Sequence, residues 1–293
     1  MFGNRSYGNL MLLGYDAAET QHASQYSFLR NTTPLSKYNI LPVMSHVLIL
    51  RAPGTNADQE TAYAFQLAGA KSVEILHINS VLEQHTILDR ANILCIPGGF
   101  SFGDDIAAGK IFALKIKNHL ADTFRRFCDA GKLILGICNG FQVLLKSGLL
   151  LEEDSGGSLA TLTWNFPACC YIDRWVHLRT EKNNSVFLRG IESMYLPIAH
   201  AEGRFVFRED LTPPLQQFAL RYDAGDNPNG SMLDVAGVCD ISGRIFGMMP
   251  HPERCVDPTQ HPNWTRKITS DSLKQHANGN GLAIFQNAVS YFQ

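Results

Sequence analysis

The distribution of hydrophobic and polar positions changes abruptly at residue 44. Over residues 1–43, Asn, Ser, Thr, Gln and Tyr dominate and no period of 2 or 3.6 is sustained, the pattern of a disordered or loosely attached extension. A start codon placed upstream of the real one, at Met44, would produce the same texture. Immediately afterwards Val47-Leu-Ile-Leu50 forms a continuous apolar run suited to a buried parallel strand. A Pro-Gly turn then leads to a helix predicted from Asp58 to Gly69, followed by strands over Val73–Ile78 and Ile93–Ile96. One long helix is predicted from Ala107 to Ala130, stopped by Gly131, then a strand at Leu133–Leu135 and a helix over Gly140–Ser147. This alternation predicts an α/β fold, a mostly parallel central sheet flanked by helices on both faces. The C-terminal half offers shorter strands at Phe218–Tyr222, Val235–Val238 and Arg244–Met248, and a final helix over Gly281–Phe292. Neither a repeat nor a long linker interrupts residues 44–293, which read as one domain.

Composition narrows the class. The 293 residues are 45% apolar, enough for a sizeable core, and the net charge of −2 lacks the basic excess of a nucleic-acid binder. No apolar run approaches the ~20 residues of a membrane span, and Leu10–Leu13 is too short and weakly flanked for a signal peptide. Seven cysteines, an odd number with no C-x-x-C pair, fit a reducing cytosol better than a disulfide framework. A cytoplasmic location is therefore expected.

The chemistry concentrates where the strand Leu133–Leu135 runs into Gly136-Ile-Cys138-Asn-Gly140 and then a helix. This is the G-x-nucleophile-x-G order of a nucleophile elbow, a tight turn needing glycines where a Cβ would clash. Such a turn places the sulfur at the carboxyl edge of the sheet and at a helix N-terminus, whose N–H groups favour a thiolate. Alone, the motif is equally compatible with a buried structural cysteine beside a packing turn. Two further segments change that balance. Met248-Met-Pro-His251-Pro-Glu253 follows a strand and supplies a general base, His251, with a carboxylate, Glu253, to hold its tautomer. Ile96-Pro-Gly-Gly-Phe100-Ser-Phe-Gly103-Asp104 follows another strand. Its N–H groups at Gly99 and Phe100, together with that of Asn139, could form an oxyanion hole, although an ordinary strand-to-loop turn would look the same.

With these residues, the chain resembles the class I (triad-type) glutamine amidotransferases, whose fold is flavodoxin-like. More narrowly, it resembles the glutaminase subunits of phosphoribosylformylglycinamidine synthases. The likeness runs from about Met44 to the C-terminus. It includes Pro53-Gly-Thr-Asn56, the elbow through Gln142, Asp173-Arg174-Trp-Val, Pro197-Ile-Ala-His-Ala-Glu-Gly203, Asn227-Pro-Asn-Gly-Ser231 and Gly247 to Arg254. The resemblance implies Cys138 as nucleophile, His251 and Glu253 as the rest of a triad, and Gln142 as a residue that helps hold glutamine. It implies no metal or cofactor in this chain, with ATP and Mg on a partner synthetase subunit accompanied by a small third subunit. The reaction implied is glutamine hydrolysis through a Cys thioester. The ammonia passes to the ATP-dependent conversion of formylglycinamide ribonucleotide to formylglycinamidine ribonucleotide, in purine biosynthesis. The sequence departs from the family at Ala201, where glycine is usual, and residues 1–43 have no counterpart in it.

Other features are set aside. Gly103 to Lys110 has the wrong spacing for a phosphate loop and ends in Ile111 where Ser or Thr belongs. Cys169-Cys170 lacks a second Cys/His pair at ligand spacing. His200 and Glu202 are read as surface residues near the partner, since the triad is already filled. Two alternatives remain: another cysteine hydrolase of related α/β fold, and a non-catalytic regulatory subunit, which would usually have lost a triad member.

Overall fold

A computed structural model describes residues 45–151, 153–155, 157–208, 210–267 and 280–293. The extension read over 1–43 lies outside the described residues. In chain order the elements begin with β1 (His46–Arg51), α1 (Asp58–Leu67), β2 (Ser72–His77), α2 (Ile78–Glu83) and β3 (Ile93–Ile96). Next come α3 (Lys110–His119), α4 (Ala121–Asp129), β4 (Leu133–Ile137) and α5 (Asn139–Lys146). Strands β5 (Ala160–Thr163), β6 (Ile172–Thr180), β7 (Ser193–His200) and β8 (Arg204–Phe207) follow. The chain continues with β9 (Leu220–Tyr222), β10 (Val235–Cys239), β11 (Ile245–Met248), α6 (Trp264–Lys267) and α7 (Leu282–Ser290).

The main sheet has the order β2-β1-β3-β4-β11-β10-β9-β6-β7, and β5 pairs with β8 in a separate ribbon. Strands β2, β1, β3, β4 and β11 are mutually parallel, whereas β10, β9, β6 and β7 join by antiparallel pairing. The order 2-1-3-4 with a fifth parallel strand is the flavodoxin-like arrangement. Every residue of β3, β4 and β11 is buried, as expected of strands covered on both faces. Edge strand β2 is only partly buried.

This topology dictates where chemistry can sit. Parallel strands end at one edge, so the segments after β1, β3, β4 and β11 all emerge there. Strand β7, reached through four antiparallel steps from β11, runs in the same sense and delivers His200 to that edge. The N–H of His251 donates to the Pro197 carbonyl at 2.8 Å, so β7 comes back against the end of β11.

Two expectations are corrected. The helix predicted over Ala107–Ala130 is two helices that break at Leu120 (φ −124°, ψ 1°). The buried faces, Phe112, Ala113 and Ile116 then Phe124 and Phe127, remain in helical step across the break. Residue Ile78 opens α2 rather than closing β2, because His77 caps the helix by accepting from the Asn79 N–H at 3.2 Å. The sheet is the mostly parallel one expected, extended on one side by the antiparallel strands β10, β9, β6 and β7.

Candidate active site

Cys138 sits between β4 and α5 with φ 51° and ψ −105°, outside the regions open to ordinary L-residues. Such strain costs about 1–3 kcal/mol and must be imposed from outside. Here the Cys138 N–H donates to the Met248 carbonyl at 2.7 Å, and its carbonyl accepts from Gln142 N–H at 3.1 Å. The glycines on either side are required by contact. A Cβ on Gly136 would lie 2.6 Å from the Gly140 carbonyl oxygen, and one on Gly140 only 1.8 Å from that of Ile96.

His251 follows β11, flanked by Pro250 and Pro252, and is 2% exposed. Its Nδ1 meets Glu253 Oε1 at 2.6 Å, and Glu253 is 1% exposed. Burial pushes the imidazole pKa down, but the Glu253 carboxylate, with the nearby Cys138 sulfur, overrides this and raises it to about 10. The other ring nitrogen, Nε2, has no hydrogen-bond partner among the described residues. Gly98 packs against the ring, where a Cβ would approach Cε1 to 2.8 Å. The Cys138 thiol, 5% exposed, lies 3.7 Å from the Ala199 carbonyl oxygen. The structure thus brings Cys138, His251 and Glu253 together in one buried cluster.

The loop after β3 is fastened to the elbow. The Asn139 Oδ1 accepts from the Ser101 N–H at 3.2 Å, and its Nδ2 donates to Asp104 Oδ1 at 3.0 Å and Gln142 Oε1 at 2.9 Å. Burial raises the Asp104 pKa, partly opposed by hydrogen bonds from Gly109 and Asn139. Because Asp104 already accepts the Gly109 N–H, it takes the place an anion would want at the start of α3.

Of the groups expected around the oxyanion and the substrate, two have partners of their own within the protein. The N–H of Phe100 donates to the Gly54 carbonyl at 2.9 Å, so it is engaged rather than open to a ligand. By contrast, the N–H groups of Gly99 and Asn139 have no acceptor among the described residues. Gly99 reaches its φ of 136° only as glycine, since a Cβ would fall 2.7 Å from the Asn56 nitrogen. The Gln142 side chain accepts from Asn139 and donates to the Glu202 carbonyl at 2.6 Å, so its amide ties elements together within the protein.

His200 and Glu202 are not surface residues. His200 is 3% exposed beside the triad, and Glu202 is largely covered, accepting from the Ala108 N–H at 3.2 Å and pairing with Lys146 at 3.7 Å. Their neighbours Ala199, Ala201 and Gly203 are too small to mark a buried face, so the burial is not visible locally; it arises because β7 returns to the catalytic edge. Cys169 and Cys170 are exposed free thiols. Donor atoms of Glu60, His251 and Glu253 lie within 4.8 Å of one another, a set of metal-binding type. Arg254 pairs with Glu60 at 2.8 Å and Glu253 Oε1 meets the His251 Nδ1, while His251 Nε2 and Glu253 Oε2 have no hydrogen-bond partner among the described residues.

A cysteine on a strained elbow, facing a His–carboxylate pair at the carboxyl edge of a flavodoxin-like sheet, defines a class of cysteine-nucleophile enzymes. Comparison with known proteins narrows it. Residues 44–292 match the model of the CobB/CobQ-like glutamine amidotransferase domain. The subunit PurQ of phosphoribosylformylglycinamidine synthase from Dehalococcoides mccartyi is 42% identical over 253 residues, 83% of this chain and 96% of that protein. Its counterpart from Methanococcus maripaludis strain C7 is 40% identical over 278 residues, 86% of this chain and 99% of that protein. Among solved structures, a chain of PurLQS from Thermotoga maritima superposes with a TM-score of 0.65 at 30% identity, covering 85% of this chain and 100% of that one. This chain belongs to the glutamine amidotransferase family and, within it, to the PurQ subunits of phosphoribosylformylglycinamidine synthase. Among the described residues no helix is long and apolar enough to cross a membrane.

Proposed function

We propose that this chain is the glutaminase component of a phosphoribosylformylglycinamidine synthase, with Cys138, His251 and Glu253 as its catalytic triad. The observation that carries this reading is the buried His251–Glu253 pair, 2.6 Å apart, placed beside a cysteine held at positive φ. His251 takes the thiol proton, and the sulfur attacks the side-chain carbonyl carbon of glutamine. The N–H groups of Gly99 and Asn139 receive the developing oxyanion. When the C–N bond breaks, His251 returns the proton to nitrogen and ammonia leaves. A γ-glutamyl thioester remains, which water hydrolyses to glutamate, again with His251 as base. Glu253 keeps Nδ1 protonated throughout, so Nε2 is the nitrogen that works.

Ammonia then passes to an ATP-dependent synthetase subunit that converts formylglycinamide ribonucleotide to formylglycinamidine ribonucleotide, assisted by a small third subunit. The relatives named PurQ and the PurLQS assembly support this partnership. In this reading ATP and Mg belong to the synthetase, and this chain works without a cofactor of its own in a cytoplasmic setting. A glutamine analogue with an electrophilic side chain tests the assignment. It should label Cys138 alone among the seven cysteines, read by peptide mass spectrometry. Burial pushes the thiols of Cys128 and Cys239 up to about 12 and that of Cys95 well above its ordinary value. Labelling that instead followed exposure, at Cys169 and Cys170, would refute it.

A further inference from the structure

Two motifs are not used by the triad: Pro197 to Gly203 and Asn227 to Ser231. In three dimensions both converge on His200. The Asn165 Nδ2 donates to the carbonyls of Cys170 at 2.9 Å and His200 at 2.8 Å, so both its hydrogens are engaged. Its Oδ1 must therefore accept, and it does so from the Gly203 N–H at 3.0 Å and from His200 Nδ1 at 3.2 Å. That assigns the proton of His200 to Nδ1 and leaves Nε2 as a bare lone pair. The second motif fastens the other side. Asn229 Nδ2 donates to the Gly203 carbonyl at 2.8 Å, and the Ser231 hydroxyl donates to Asn229 Oδ1 at 2.7 Å. Gly203 in turn lies so close to the imidazole that a Cβ would fall 2.2 Å from Cε1.

Nε2 of His200 is buried and has no hydrogen-bond partner among the described residues. A buried, unsatisfied acceptor is destabilising, and here fully buried Asn165 and Asn229 fix it in place. The Ala199 carbonyl, one residue before it on β7, lies 3.7 Å from the Cys138 sulfur, which places His200 beside the reacting group. Burial first, then the charge on His251 when that ring is protonated, lowers the His200 pKa to about 3, so it stays neutral.

We propose that His200 is a specificity residue for glutamine hydrolysis, its Nε2 lone pair accepting an N–H of the substrate carboxamide. This rests on the glutaminase reading above and deepens it. In acylation the Cys138 sulfur bonds to the carboxamide carbon, the C–N bond breaks, and the pair left on nitrogen takes the proton from His251. His200 exchanges no proton. By holding one N–H it turns the nitrogen lone pair toward His251, and its weak basicity lets ammonia leave unprotonated. A carboxylate in the same place would present lone pair to lone pair, which disfavours glutamate and promotes product release.

The test uses the complex reconstituted with its synthetase partner, and compares glutamine with glutamate γ-methyl ester, which forms the same thioester but carries no N–H. The variants are His200→Leu, His200→Met and His200→Gln, the methionine standing in if the leucine variant does not fold. Loss of one substrate hydrogen bond predicts a fall in kcat/KM of about 10- to 100-fold for glutamine, with the ester changed by less than about threefold. Gln restores an acceptor near the Nε2 position and should recover most of the loss. Equal losses on amide and ester, or no loss on either, would overturn the role given to His200. Failure of the wild-type complex to release glutamate from glutamine would instead overturn the glutaminase reading itself.

Discussion

At the residue scale, the site places two histidines with opposite proton affinities side by side. The Glu253 carboxylate raises the proton affinity of His251, whereas burial lowers that of His200 to about 3, so His251 is the ring that exchanges protons and His200 stays neutral. The difference follows from partners: a carboxylate holds the first, and an amide oxygen holds the second. Removing the carboxylate's charge with Glu253→Gln should cut kcat for glutamine hydrolysis by roughly two to four orders of magnitude, as loss of the correct tautomer does in other triads. An effect under tenfold in steady-state glutamate release would show that Glu253 does not orient His251. The His200 shift has a consequence for stability. An unfolded chain protonates this histidine near pH 6.5 and the folded one only near pH 3, so stability falls as pH drops through that window. Each pH unit below 6.5 costs up to about 1.4 kcal/mol from this group. Urea unfolding at pH 7 and pH 5 should therefore show a stability difference smaller by about 2 kcal/mol in His200→Gln than in wild type. An unchanged difference would mean that His200 is protonated in the fold.

At the element scale, the elbow is the best-determined feature. Gly140 is where α5 passes closest to β3, and the contact is backbone on backbone, with no flexible side chain to yield. Gly140→Ala should cost at least the ~1–3 kcal/mol of a forced overpacking and displace Cys138 as well. Thermal unfolding and glutaminase rate should fall together, and a variant with native values would show that the strand and helix can separate freely. This is also where sequence and structure agree most closely. Flanking glycines, an apolar strand and a following helix are local signals, so the turn at Cys138 is readable from its neighbours, whereas His251 between two prolines takes on meaning only in combination with that elbow. The break at Leu120 was not, because the apolar period runs through it. Strands β6 and β7 escaped notice because their exposed faces carry residues such as Arg174, His177 and Ser193, which blur the alternation. His200 was misplaced for a similar reason. Its partners Asn165 and Gly203 meet it through contacts set by the return of β7, and Asn165 lies 35 residues away.

At the scale of the whole molecule, one of the three N–H groups expected at the oxyanion, that of Phe100, is turned away from the site. Gly99 and Asn139 offer N–H groups, while that of Phe100 is held by Gly54 and its ring, 43% exposed, leans toward Tyr171 with 6.4 Å between ring centroids. The loop carries Phe102, Asp104 and Ile106 at positive φ, so it holds backbone strain that a bound partner could release. A single oxyanion donor is worth about 100- to 1000-fold in rate. The isolated chain should accordingly hydrolyse glutamine slowly and accelerate by about that factor when the synthetase, its nucleotide and its acceptor are present. Equal rates with and without them would favour a stand-alone hydrolase.

In the proposed reaction Cys138 releases ammonia and does nothing else for synthesis. The most direct measurement replaces it with alanine in the reconstituted complex and compares synthesis driven by glutamine with synthesis driven by ammonium chloride. The thiol is needed only to break the glutamine C–N bond, so Cys138→Ala should abolish the glutamine-driven rate and leave the ammonia-driven rate within about twofold of wild type. A parallel loss of both rates would contradict the account and make Cys138 a structural residue of the complex.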